Sequence, residues 1–126
     1  MRKLDREAVF AHCRARFGTE AAYLWARFPD AAALRNPESG RWYAVAQLVE
    51  RAKLGLDGEG KLDILVIRAG PVLTAELLAQ PGFLPGYHMN KANWVSVPLD
   101  GSAPPERLCP LLDIAYELAS KPRRPG

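Results

Sequence analysis

Two cysteines and two histidines are all that the 126-residue sequence offers as thiol or imidazole ligands. Cys13 and Cys109 stand far apart and outside any CxxC pair. That spacing excludes a zinc ribbon and a disulfide framework, and it predicts two buried, reduced thiols. His12 and Cys13 are neighbours, so on a helix they point about 100° apart and cannot share a metal. No metal and no cofactor are expected. A GxSxG elbow, a phosphate-binding loop and a dinucleotide fingerprint are also missing. His88 and Asp100 could pair as base and orienter, but no nucleophile stands beside them, so a non-enzymatic protein is expected. No apolar run approaches the ~20 residues that span a bilayer. The opening MRKLDREAVF turns charged where an export signal needs its apolar stretch, which predicts a cytoplasmic chain without a membrane partner.

The composition, 48% hydrophobic and 25% charged, is that of an ordinary soluble globular domain. The length suits one domain with its own core. A net charge of +3 hides an uneven distribution. Five of the 17 basic residues (Arg2, Lys3, Lys121, Arg123, Arg124) lie in the two tails. Twelve remain in the body against 14 acidic residues, a body charge of −2. The basic character therefore belongs to the tails rather than to a folded face.

The first element is a helix with Asp5 as N-cap, a Leu4–Val9 staple, Phe10, Cys13 and Phe17 on one face, and Gly18 at its end. Arg6, Arg14 and Arg16 form its solvated side. AAALR at 31–35, the turn formers NPESG and RWYAVAQLVE at 41–50 then read as a β-hairpin. Alternation puts Tyr43, Val45, Gln47 and Val49 on one face of the second strand and Trp42, Ala44, Ala46 and Leu48 on the other. After the loop RAKLGLDGEG, KLDILVIR reads as a central strand covered on both faces. A short helix follows, with Pro71 at its first position and Pro81 as its stop. One or two strands come next, the last ending near Pro98. The final helix carries Leu108, Leu111, Leu112, Ala115 and Leu118 on one stripe. Its regular part is expected to begin at or near Pro110, because an internal proline costs about 3 kcal/mol. The order is α-β-β-β-α-β-β-α: an α+β two-layer sandwich with an antiparallel sheet of about five strands flanked by helices. One domain covers residues 1–120, and residues 121–126 form a basic disordered tail.

Three segments make the chain recognisable: YLWARFPDAAALRNPESGRWYAVAQ, KLGLDGEGKLDILVIR, and PGYHMNKANWVSVPLDG with its trailing helix and AYEL. From the first helix to about residue 120 the chain resembles the MmcQ/YjbR family of small bacterial proteins. The resemblance implies a fold similar to the CyaY-like and secretion-chaperone arrangements. It also implies DNA binding through a "double wing", which maps onto the NPESG tip and the RAKLGLDGEG loop. Asn36 and Asn93 stand where family members often carry histidine.

Two partners follow from these readings, double-stranded DNA or a protein or peptide. The candidate binding residues are Arg35, Arg41 and Trp42 around the hairpin and Lys53 in the second loop. Tyr87, His88, Asn90, Lys91, Asn93 and Trp94 complete the set in the segment ahead of the last strand. Aromatics interleaved with a cation can stack bases or anchor a peptide. The same histidine and asparagines also suit local turn bonding, with Trp94 packed under a loop. Glu38 at the hairpin tip opposes a phosphate contact. Glu50, Asp57 and Glu59 offset Arg51, Lys53 and Lys61.

Overall fold

A computed structural model describes residues 5–103 and 105–120. The expected tail at 121–126 and Leu4 of the expected staple lie outside these residues. The element order is α1 (Arg6–Phe17), β1 (Ala32–Arg35), β2 (Trp42–Glu50), a 3-10 turn (Arg51–Leu54), β3 (Lys61–Arg68), α2 (Pro71–Leu78), β4 (Leu84–Pro85), β5 (Trp94–Pro98) and α3 (Pro105–Ser120). The five strands form one antiparallel sheet in the order β1-β2-β3-β5-β4. The expected α+β two-layer sandwich is the fold.

Local chemistry sets the helix ends. Asp5 caps α1 by accepting from the Ala8 N–H at 2.9 Å, and Gly18 closes it at φ 71°, donating to Arg14 at 3.0 Å. The apolar face of α1, with Leu77 of α2 and Leu108, Leu111 and Leu112 of α3, packs on Leu34, Leu65, Ile67, Val95 and Val97 in the main core. Ala32, Ala44 and Ala46 are buried in that same core. Their small side chains allow α3 to lie close over β2. Fully burying each large aliphatic chain here stabilises the fold by about 1.5–3 kcal/mol. Ile64 to Ile67 are all inaccessible, so β3 is central and covered on both faces.

The structure corrects four expectations. Of the two thiols expected to be buried, Cys13 is and Cys109 is only partly so. The last helix starts at Pro105, five residues before Pro110. Pro110 sits early in the helix, so it removes one hydrogen bond, and burial of Leu108 keeps the turn ahead of it in place. Arg6 is not on a solvated face. It forms a two-pronged pair with Asp63 of β3, Nε to Oδ2 at 2.7 Å, and donates to the Asp30 carbonyl at 2.6 Å. Finally, strict alternation fails at the start of β2. Leu34 faces Ala44 while Arg35 faces Trp42, which leaves Tyr43 as the extra residue of a β-bulge. The bulge turns Tyr43 into the helix-side core and sends Trp42 to the opposite face.

That opposite face has no α-helix among the described residues. Its apolar patch of Val49, Leu62, Ile64, Val66 and Trp94 is buried instead under Trp42, under Leu54 and Leu56 from the β2–β3 loop, and under Tyr87 and Met89 from the β4–β5 loop. Both sheet edges are blunted. Ala22 bonds to Ala33 of β1 in both directions, at 3.0 and 2.8 Å. β4 has two residues and ends in a proline. Pro98 sits at a strand end, as expected. Leu99 N–H donates towards β3 at 2.9 Å, so the Pro98 nitrogen faces the side where β4 has run out.

Candidate functional site

The helix-free face holds a concavity of about 410 Å³. Its apolar walls are Trp25, Phe28 and Trp42 on one side and Tyr87 and Met89 on the other, with Val45 and Val49 of β2 in the floor. The polar groups at its margin are Lys53, Lys61, Glu50, Gln47 and His88. This volume is within the range of ligand pockets. Trp25 and Trp42 meet edge to face at 5.3 Å and 81°. Phe28 stays 60% exposed.

The β4–β5 loop forms one wall because its backbone is tied down. Gly86 lies against Trp94 so closely that a Cβ at position 86 would come within 2.7 Å of the Trp94 Cβ. Tyr87 N–H donates to the buried Ser96 hydroxyl at 2.9 Å. The Asn90 side chain accepts from Ala92 N–H at 2.8 Å, and the Lys91 ammonium donates to the Gly86 carbonyl at 2.6 Å. The Asn93 carbonyl receives Ala69 and Gly70 N–H at 2.8 and 3.1 Å. His88 adopts a left-handed conformation, φ 59°, and its ring stacks on Tyr87 at 4.0 Å. Histidine tolerates that region better than most residues.

The ten sequence candidates therefore separate. Trp42, Lys53, Tyr87 and His88 line the groove. Asn90, Lys91 and Asn93 shape the loop. Trp94 is only 4% exposed and offers no open ring face. Its π-surface is covered by the guanidinium of Arg68, 4.6 Å from the ring centroid. Arg35 and Arg41 stand at the hairpin. Its turn is internally bonded, with the buried Asn36 side chain accepting from Glu38 and Ser39 N–H at 2.9 and 3.2 Å. The Ser39 hydroxyl pins the turn to the Ala119 carbonyl of α3 at 2.7 Å. The two expected wings lie at opposite ends of β2, roughly 26 Å apart for nine extended residues.

Sequence reasoning missed Trp25, Phe28, Met89 and Lys61 in the lining and Arg68 beside it. Arg68 left a signal, since it follows Ile64 and Val66 on the same face of β3 as the one charge in an apolar row. Burial, and after it the Arg41 charge, pushes its guanidinium below the ordinary range. Its Nε donates to the Trp42 carbonyl at 2.9 Å. Among the described residues, no group of three or more His, Cys, Asp or Glu side chains could hold a metal ion. No helix among them is long and apolar enough to cross a membrane.

Comparison with known proteins returns relatives of the same fold. A family model described as YjbR matches residues 14–118. The uncharacterized protein YyaQ of Bacillus subtilis (strain 168) is 36% identical over 115 residues, covering 91% of this chain and 98% of its own length. A Pseudomonas syringae protein has been solved by crystallography and by solution NMR. The crystal structure superposes with a TM-score of 0.88 at 28% identity, over 92% of this chain and 99% of that one. The NMR structure gives 0.84 at 26% identity, over 98% of each chain. Deinococcus radiodurans protein DR2400, at 24% identity, shares the fold with a TM-score of 0.68 over 92% of this chain and 78% of its own.

Proposed function

The chain belongs to the YjbR family, and from that premise we propose that it is a non-enzymatic binding protein that takes an extended peptide of a partner on the helix-free face of its sheet. One observation carries the reading: an aromatic-walled groove runs along β2 on the only sheet face that no α-helix of the described residues covers. Peptides often dock on sheets by adding a strand at an edge. Here Ala22 occupies the β1 edge and Pro85 closes β4, so the face is the surface that remains. Trp25, Trp42 and Tyr87 are the residue types that dominate binding energy at such surfaces.

Duplex DNA is the second reading. Arg35, Arg41 and Arg68 favour it, because the pairings of β1, β2 and β3 bring them to one end of the sheet. Its two-loop form needs both wings on one side of the molecule, and the length of β2 separates them. A contact limited to the hairpin end would fall steeply with salt.

The test is a titration of the full chain with fluorescent extended peptides of apolar centre and, in parallel, with a DNA duplex, each at low and high salt. Peptide binding that persists at high salt and is weakened by Trp42→Ala supports the reading. Binding of duplex alone, unaffected by Trp42→Ala, contradicts it.

A further inference from the structure

The electrostatics of the groove select the kind of peptide. Three arginines of the described residues pair with carboxylates: Arg6 with Asp63, Arg14 with Glu20 and Arg16 with Asp113. Arg68 is held differently. Its Nε is committed to the Trp42 carbonyl and its plane to the Trp94 ring. Among the described residues, no carboxylate lies within ion-pairing distance of it. A partly buried guanidinium without a counter-charge is a costly arrangement that an incoming anion would relieve.

The far end of the groove carries cations too. Lys53 and Lys61 stand there, and Glu50, the one acid in the lining, lies across from Lys61 in the β2–β3 register, so two cations against one acid leave a charge of +1. Lys61 and Arg68 are the first and last residues of β3. Seven extended steps separate them, roughly 23 Å. Arg68 flanks the groove beside Trp42 without lining it, and between it and these lysines the lining is mostly apolar, with Gln47 as a polar side chain.

We infer that the groove's occupant is an acidic peptide, an extended segment with bulky apolar residues in its centre and a carboxylate at each end, one against Arg68 and the other near Lys53 and Lys61. This rests on the peptide reading above and adds to it the charge and spacing of the ligand. Arg68 is suited to the first contact because its planar fork is already oriented by Trp94 and Trp42. Only its Nε donates to a described residue, so a carboxylate can take its remaining N–H groups without displacing the Trp42 carbonyl.

Two labelled nonapeptides test the inference. Both carry leucine and phenylalanine at alternating central positions. One has glutamate at both ends and the other lysine. Fluorescence anisotropy with the full chain should give about tenfold tighter binding of the glutamate peptide. Arg68→Gln should cut that preference to about threefold or less, and Arg68→Lys should retain more of it. Melting followed by circular dichroism, run on each variant, establishes that it is folded before its binding is compared. Trp42→Ala should weaken both peptides alike. Equal binding of the two peptides, both lost in Trp42→Ala, overturns the acidic preference and leaves the groove reading standing. No binding of either peptide, or binding that Trp42→Ala leaves untouched, overturns both. A DNA duplex that binds tighter than the glutamate peptide and displaces it assigns Arg68 to phosphate and overturns the inference.

Discussion

The rings of Trp25 and Trp42 meet edge to face at 5.3 Å, joining the segment ahead of β1 to the bulge in β2. Trp42 reaches this contact because Tyr43 is the extra residue of the bulge and reverses the side on which its neighbour emerges. Replacing Trp42 with alanine should cost about 1–3 kcal/mol in urea unfolding, since the ring is only partly buried. The same variant should lose most of its peptide affinity. A variant as stable as the parent, with unchanged affinity, contradicts the placement.

Gly86 should tolerate no side chain. A Cβ there would come within 2.7 Å of the Trp94 Cβ and 2.8 Å of the Trp94 carbonyl oxygen. Backbone would have to move, carrying Tyr87 and Met89 away from the groove. Gly86→Ala should destabilise the fold by about 1–3 kcal/mol and weaken peptide binding beyond what its stability loss explains. Denaturant unfolding and anisotropy on the same sample check both effects.

The Arg6–Asp63 pair links α1 to β3, and through the Asp30 carbonyl it also fixes the segment that carries Phe28. The Asp63 hydrogen bond is the main reason the Arg6 pKa rises above its ordinary value. Asp63→Asn should cost about 1–3 kcal/mol, because it leaves a partly buried cation without its counter-charge. Loss of stability in that variant, partly restored by Arg6→Met on the same background, would identify the stranded charge as the cause.

Alkaline pH should unfold the protein from the α1 side of the core. Burial pushes the Cys13 thiol up to about 11 from 9.0, and burial likewise raises the phenol of Tyr43 well above its usual range. The fold thus favours the neutral form of each group. That contribution is fully present below pH 9 and is lost as pH rises through about 11. For Cys13 the loss should be about 2–3 kcal/mol. Cys13→Ala should flatten part of the decline in urea midpoints across this window. An unchanged pH profile in that variant would contradict the assignment.

Much of the fold was legible in local sequence. Asp5 and Gly18 bracket α1, NPESG marks the hairpin, and Pro71 starts α2, each through chemistry confined to a few neighbours. The misplaced features all depend on residues far away in the chain. The reversal of Trp42 and Tyr43 is set by pairing with β1, which alternation within β2 cannot reveal. The early start of α3 depends on burial of Leu108 in the shared core. The tie between Arg6 and Asp63 joins residues 57 positions apart. Among the candidate residues, the segment ahead of β5 drew notice to Tyr87 and His88, which line the groove, but the same pattern made Trp94 look available. Only its packing under Arg68 shows that it is not.

The most direct test of the account is a backbone-amide NMR titration of the full chain with the glutamate-ended nonapeptide, followed by the same titration with a DNA duplex. The account predicts peptide-induced shifts concentrated at Trp25, Trp42, Val45, Lys53, Tyr87, Met89 and Arg68, with the helical layer unmoved. Shifts confined to the hairpin turn at Glu38 and the loop at Asp57, produced by duplex and not by peptide, would contradict it.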